Sequence, residues 1–249
     1  PVAHLRRSLG LTPERKTNAY WRYLVLASTA PSLVMEHDYV SPTTHFIRPE
    51  PFDRSGDETL PGWLTSLEGR PTIHATLGTV VSRLRVASTI YDAIVAAVRD
   101  EPINVILTVG SNQEPDRFNP GEGHVYVDRY IPHSLLLPHC DLVIAHGGFS
   151  TMISSLCHGL PLVVIPVAAD QFDNADRVQR AGAGIVIDPD QRTPEAIRAA
   201  VRQVLTEPHF RKNAERIRAE LESLPNFDHA VSLLERLAVE KQPILAVTR

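Results

Sequence analysis

Alternation constrains this chain more than any other feature. Short β-rich runs recur at Thr72–Leu77, Ile103–Val109, His124–Val127, Leu142–Ala145, Leu162–Val167 and Gly184–Ile187. Several are almost continuously apolar, the mark of strands covered on both faces of a parallel sheet. Helical patterns fill the gaps. Val86, Ile90, Ile94, Val95 and Val98 form one stripe of a helix that must end before Pro102. Thr193-Pro194-Glu195 reads as an N-cap, a first-turn proline and an early acid, opening a helix that carries Ile197, Val201, Val204 and Leu205. Strand–helix alternation from Arg70 to roughly Pro225 predicts an α/β fold with a doubly wound parallel sheet, spanning residues 71–225.

The flanks follow a different rhythm. His4 to Leu11 suits the end of a helix, Tyr23–Ala27 a strand, and His45–Ile47 another. These are too few elements to bury a core of their own. Residues 48–70 mix Pro49, Pro51, Gly56, Pro61 and Gly62 with charged side chains, which is linker composition. Residues 1–47 therefore read as the tail of a domain whose beginning is absent. The chain opens on Pro1 rather than Met, so it is expected to start inside a longer gene product. In residues 226–249, Ala230, Val231, Leu233, Leu234 and Leu237 mark an amphipathic helix that could pack on the same absent body.

Composition excludes several classes. At roughly 100–200 residues per domain, 249 residues suit one large domain, or one domain plus a fragment. An apolar fraction of 43% is ordinary for a globular chain and rules out wholesale disorder. The formal charge of −4, without a clustered basic face, leaves no nucleic-acid footprint. Two cysteines, Cys140 and Cys157, cannot build a disulfide framework and fit a reducing, cytoplasmic setting. The longest apolar stretch, Leu160 to Ala169, falls short of the roughly 18 residues of a membrane span. Arg6 and Arg7 lead into polar sequence rather than the apolar core of a signal peptide.

In open α/β sheets, ligands bind beyond the carboxyl ends of the strands, so the strand-to-helix turns hold the candidate chemistry. His146-Gly147-Gly148-Phe149-Ser150-Thr151 follows one strand and opens a helix. Two glycines let another group approach the backbone, and free helix N–H groups with the Ser150 and Thr151 hydroxyls and the His146 ring suit a diphosphate. The competing reading is a tight turn whose hydroxyl merely caps the helix. Asp170-Gln171, with Asn174 one turn later, places a carboxylate beside a carboxamide at a spacing suited to neighbouring sugar hydroxyls; alternatively Asp170 is an ordinary N-cap. Gly78-Thr79 ends the first long run and offers a hydroxyl. Tyr130, leading into Ile131-Pro132-His133, could stack on a nucleobase or pack in the core.

Other motifs are set aside. Gly182-Ala183-Gly184 follows a helix and precedes a strand, so it is a helix C-cap and not a phosphate loop. His133, His139, Cys140, His146, Cys157 and His158 fit no zinc spacing, so no metal site is expected. A Gly-x-Ser-x-Gly elbow, a Walker loop and a kinase set are all missing. Both cysteines read as small buried hydrophobes.

Together, Tyr130-Ile131-Pro132-His133, Leu136-Leu137-Pro138, Asp141-Leu142-Val143-Ile144, His146-Gly147-Gly148, Gly159-Leu160-Pro161, Pro166, Asp170-Gln171 and Asn174-Ala175 resemble the donor-binding half of GT-B nucleotide-sugar glycosyltransferases of the macrolide and flavonoid type. The resemblance implies a Rossmann-like C-terminal domain and an inverting, metal-independent transfer of a hexose from a UDP- or dTDP-sugar. The acceptor would be a small hydrophobic natural product or lipid, and no cofactor beyond the donor is needed. It places Tyr130 on the base with His133 beside it. His146, Gly148, Ser150, Thr151 and Thr79 fall at the diphosphate, and Asp170 and Gln171 at the hexose. Ser154 stands where a Glu often grips the ribose hydroxyls. A serine cannot accept both, which fits weaker binding or a deoxyribose donor. The family's general base belongs to an N-terminal acceptor domain, and His4, His37 and His45 match nothing recognisable as that base. Two alternatives stay open: a donor-binding subunit or degenerate module that needs a partner protein or dimer to cover the missing half, and a sugar-nucleotide epimerase of the same architecture.

Overall fold

The computed structural model describes residues 21–50, 52–53, 58–67, 69–118 and 123–246. The predicted helix end at His4–Leu11 lies outside them. Two short strands come first, β1 (Val25–Ala27) and β2 (Thr44–Phe46), paired in parallel. The main body then alternates β3 (Thr72–Thr76), α1 (Gly78–Val81), α2 (Arg85–Val98), β4 (Asn104–Thr108), α3 (Pro115–Phe118), β5 (Val125–Asp128), α4 (His133–Leu136), β6 (Leu142–Ala145), α5 (Phe149–Cys157), β7 (Leu162–Val164), α6 (Gln171–Arg180), β8 (Gly184–Val186) and α7 (Pro194–Thr206). Two longer helices, α8 (Pro208–Ser223) and α9 (Phe227–Glu240), close the chain.

Six parallel strands lie in the order β5-β4-β3-β6-β7-β8. The chain winds outward from β3 in one direction, then returns to start again at β6 on the other side. The strand order therefore reverses between β3 and β6, and that reversal opens a crevice at their carboxyl ends. Period-two alternation divides the strand residues between two cores. Ile73, Ala75, Val105, Leu107, Leu142 and Ile144 pack beneath α2 and α7. Ile106, Val143, Ala145, Leu162 and Val164 pack beneath α4, α5, α6 and α8. Apolar burial on both faces is what made the runs continuous in sequence.

The observed strands lie inside the predicted runs or slip by one residue. The largest difference is at Leu162–Val167, which stops at Val164. Pro166 has no N–H to give a ladder, and the chain turns there toward α6. Thr193 caps α7 as its spacing predicted, its Oγ1 accepting from the Ala196 N–H at 3.2 Å. Gly182 holds a left-handed φ of +64° after α6, the conformation expected of a helix-ending glycine.

The flanking segments are fastened to the main body. Asp38 accepts two bonds from Arg177 on α6, at 2.7 and 2.8 Å, and Ala30 and Leu33 are buried in the second core. The tail after α9 returns to the first strands: Ile244 N–H donates to Tyr23 O and Ala246 N–H to Pro42 O. Leu64, within linker-like composition, is buried in the second core, and Trp63 stacks on Tyr126 with centroids 4.3 Å apart. Of the predicted stripe on α9, Ala230 and Leu233 are buried while Val231 and Leu234 are exposed. Among the described residues, no helix is long and apolar enough to cross a membrane.

These contacts set expectations for stability. Ile144→Ala, at a fully buried position in a central strand, should cost about 2–5 kcal/mol in urea unfolding. Thr193→Ala should cost only about 1 kcal/mol through its lost cap. Equal losses for the two variants would contradict the packing described.

Candidate functional site

The crevice between β3 and β6 is where the loops carrying Gly78 and His146 meet. The His146 ring lies between two glycines. A Cβ on Gly78 would stand 2.6 Å from its Cε1, and one on Gly148 would stand 2.4 Å from its Nε2. Both distances are shorter than any real carbon contact, so only hydrogen fits at either position. Gly147 takes a left-handed φ of +82°, and a Cβ there would meet the Gln171 carbonyl at 2.8 Å. The glycines that looked like room for a ligand therefore make room for His146 and for the α6 turn. The crevice wall is assembled from three loops packed on one another.

Gly148 holds the N-cap position of α5 and has no side chain to cap it. The first amide N–H groups of that helix, with the positive end of its dipole, are thus open at the reversal point. Ser150 is exposed there and Thr151 is buried. Thr79 is exposed on α1, next to the glycine that touches His146.

Burial sets the charge state of His146. Only 8% of the residue is exposed, and this pushes its pKa down to about 4, with His133 lowering it further and Asp170 working against them. Its Nδ1 is buried with no hydrogen-bond partner. At neutral pH the ring is therefore an uncharged hydrogen-bonding group beside the helix amides.

Asp170 and Gln171 play unequal parts. Gln171 is buried, and its Oε1 accepts from the Val167 and Ala168 N–H groups at 2.8 and 3.0 Å. That oxygen shapes the turn. Asp170 occupies the N-cap position of α6 but caps nothing, and it is exposed beside a cavity of about 270 Å³. Phe149 and Asp173 line the cavity with it, opposite Thr29, Leu33 and Val34 of the first segment.

Tyr130 and His133 stand on the other flank. The Tyr130 ring is 55% exposed, not packed in the core, and its hydroxyl donates to the Asp53 carbonyl. The Asp53 carboxylate accepts from the Ser134 N–H at 2.7 Å. His133 meets His74 edge-on, with centroids 5.3 Å apart. His74 is fully buried in mid-strand, its Nε2 3.1 Å from Thr108 Oγ1 and its Nδ1 without a partner. Burial holds His74 well below the usual histidine range and lowers His133 as well. Sequence reading missed His74 and Asp53. An imidazole inside an apolar run was a usable signal for the first, whereas nothing local marks Asp53.

The remaining chemistry-bearing residues are accounted for structurally. Burial pushes Cys140 up to about 12 and Cys157 up to about 11, so neither is a thiolate at neutral pH. Among the described residues, no group of three or more His, Cys, Asp or Glu could hold a metal ion. His45 is tied to the tail, its Nε2 3.1 Å from Ile244 O, and His37 stands 4.0 Å from Asp38.

Comparison with known proteins places this architecture. The model of the erythromycin biosynthesis protein CIII-like C-terminal domain matches residues 92–237. The chain belongs to that family. It is 35% identical over 215 residues to 4'-demethylrebeccamycin synthase of Lentzea aerocolonigenes, covering 86% of this chain and 50% of the relative. The chain thus spans about half the length of the relatives it matches. The glycosyltransferase SnogD from Streptomyces nogalater superposes with a TM-score of 0.71 at 28% identity, over 87% of this chain and 57% of that one. The glycosyltransferase VinC, in complex with dTDP, superposes with a TM-score of 0.76 at 26% identity, over 96% and 57%. The parallel sheet is the Rossmann-like domain of GT-B glycosyltransferases.

The buried His146 fixes a pH dependence. Its folded pKa lies below the unfolded value, so the unfolded chain binds more protons between them. Stability is full above about pH 6.5 and falls as pH drops toward about 4. A 2.5-unit gap corresponds to about 3 kcal/mol. His146→Gln should flatten that slope in urea titrations run from pH 7 to 4, and an unchanged slope would contradict the burial. Gly148→Ala should displace the ring, read as a shift of its proton resonances in NMR spectra.

Proposed function

We propose that this chain binds the donor of a nucleotide-sugar glycosyltransferase. It would hold a dTDP-activated hexose for inverting, metal-independent transfer to a hydroxyl of a hydrophobic natural product. One observation carries the reading: the uncapped α5 N-terminus and the buried, neutral His146 meet where the strand order reverses. Helix amides and a neutral ring nitrogen can take up the negative charge that grows on a departing diphosphate, and a fixed array need not reorganise as it does so. Departure of the diphosphate from one face, with attack by the acceptor oxygen on the other, inverts the anomeric carbon. Exposed Tyr130 would stack on the base, and Asp170 would hold a sugar hydroxyl at the cavity. Thr79, Ser150 and Thr151 would add hydroxyls at the diphosphate, with Gly148 contributing backbone, and His133 would lie beside the base.

The choice of dTDP over UDP rests on Ser154, which is buried on α5 where a carboxylate would favour a ribose diol. VinC, the neighbour described with dTDP bound, supports the same choice.

A second reading is a donor-binding module whose acceptor-activating base comes from elsewhere. It is favoured by His37 and His45, which are engaged with Asp38 and the chain tail. Turnover of an acceptor by the purified monomeric chain would eliminate it.

Isothermal titration tests the main reading. The chain should bind dTDP at least as tightly as UDP. Loss of a charge-assisted hydrogen bond in His146→Ala should weaken dTDP about tenfold. No binding of dTDP at millimolar concentration would sink the proposal.

A further inference from the structure

Asn174 lies one turn into α6, whose first turn borders solvent and the crevice, and yet only 5% of it is exposed. Both N–H bonds of its carboxamide are committed. Nδ2 donates to the Gly147 carbonyl at 2.9 Å and to Asp170 Oδ2 at 3.0 Å. Those acceptors belong to two different turns. Gly147 is in the turn that opens α5, and Asp170 is in the turn that opens α6.

The surroundings show that Asp170 needs such a hold. It follows Ala169, which adopts a left-handed φ of +56°, a conformation that a residue with a Cβ seldom takes. Gln171 secures the loop upstream of it through the Val167 and Ala168 amides. Asp170 gains nothing from α6 itself, because no helix N–H bonds to its side chain. Asn174 holds the carboxylate where the 270 Å³ cavity begins.

We infer that Asn174 is a positioning residue, setting the separation between the Asp170 carboxylate and the diphosphate turn through one nitrogen bonded to both. The inference rests on the donor-binding reading, which assigns the first to the hexose and the second to the diphosphate. A carboxamide nitrogen suits this task because its two N–H bonds diverge. An aspartate of the same shape has neither donor and would add a negative charge beside Asp170. Asn174 touches no substrate atom in this account. It acts through Asp170.

That indirect role predicts a selective loss. Without Asn174 the carboxylate is free to rotate into solvent, while Tyr130 and the α5 amides remain in place. Titrating the full chain with dTDP and with a dTDP-hexose gives two affinities, and their ratio isolates the sugar. In Asn174→Ala and Asn174→Asp the ratio should shift about tenfold against the dTDP-hexose, the scale of one charge-assisted bond. Affinity for dTDP itself should change less than about threefold, within the spread of a single weak contact. Asp170→Ala combined with Asn174→Ala should lose no more of the ratio than Asp170→Ala alone.

Failure would be legible. If the unaltered chain does not bind dTDP, the donor-binding reading falls. If dTDP binds and the ratio is the same in the variants, or both ligands weaken equally, the role assigned to Asn174 is overturned. Should both variants unfold, the unaltered chain still decides: its Asn174 carboxamide NMR signals should shift with dTDP-hexose and not with dTDP. An equal response to the two ligands would overturn the inference.

Discussion

The site depends on a steric fit, the imidazole of His146 between Gly78 and Gly148. It joins the loop after β3 to the loop after β6, where the strand order reverses and nothing else in the sheet bridges the gap. Because both neighbours lack a Cβ, the ring is buried without clashing with either loop. Burial strips it of water, lowers its proton affinity and leaves it neutral beside the helix amides. One packing relation thus fixes the shape of the crevice wall and its electrical character together.

A second layer of order is polar. Gln171 and Asn174 lie on successive positions of the inner face of α6, and both spend carboxamide groups on loop atoms. The turns at Gly147 and Asp170 are held to one another and not only to their own helices. Residues 29–38 add a further wall, fixed to the same helix by the paired bonds between Arg177 and Asp38. The α6 N-terminus is therefore a junction through which the first segment, the α5 turn and the exposed carboxylate are related. A rigid junction suits a ligand with charges and hydroxyls at fixed separations, since polar contacts lose strength when their groups must be ordered on binding.

Family membership gives these relations their setting. The relatives and solved neighbours are glycosyltransferases, and the sheet order agrees with theirs. Residues 25–27 and 44–46 pair in parallel with each other, while the tail beyond α9 bonds alongside them. Thr29, Leu33 and Val34 reach the cavity beside Asp170, so this segment takes part in the donor side of the crevice.

Much of this architecture was readable from the linear chain. Apolar runs marked each central strand because both faces of a parallel sheet are dry, and Thr193 and Gly182 marked helix ends because capping obeys local stereochemistry. The order of the turns marked the family and the part of each strand that matters. Only folding decided the rest. Gly78 and Gly148 read as openings for a ligand and proved to be space for a histidine, since a missing Cβ does not say which neighbour will fill it. Gln171 and Asn174 read as companions of Asp170 in binding, and their partners turned out to be backbone groups brought from other loops. His74 meets His133 across the interval from β3 to α4, a relation set by which strand pairs with which. Local sequence carries propensity and burial. The pairing of distant turns is decided by how the sheet is wound.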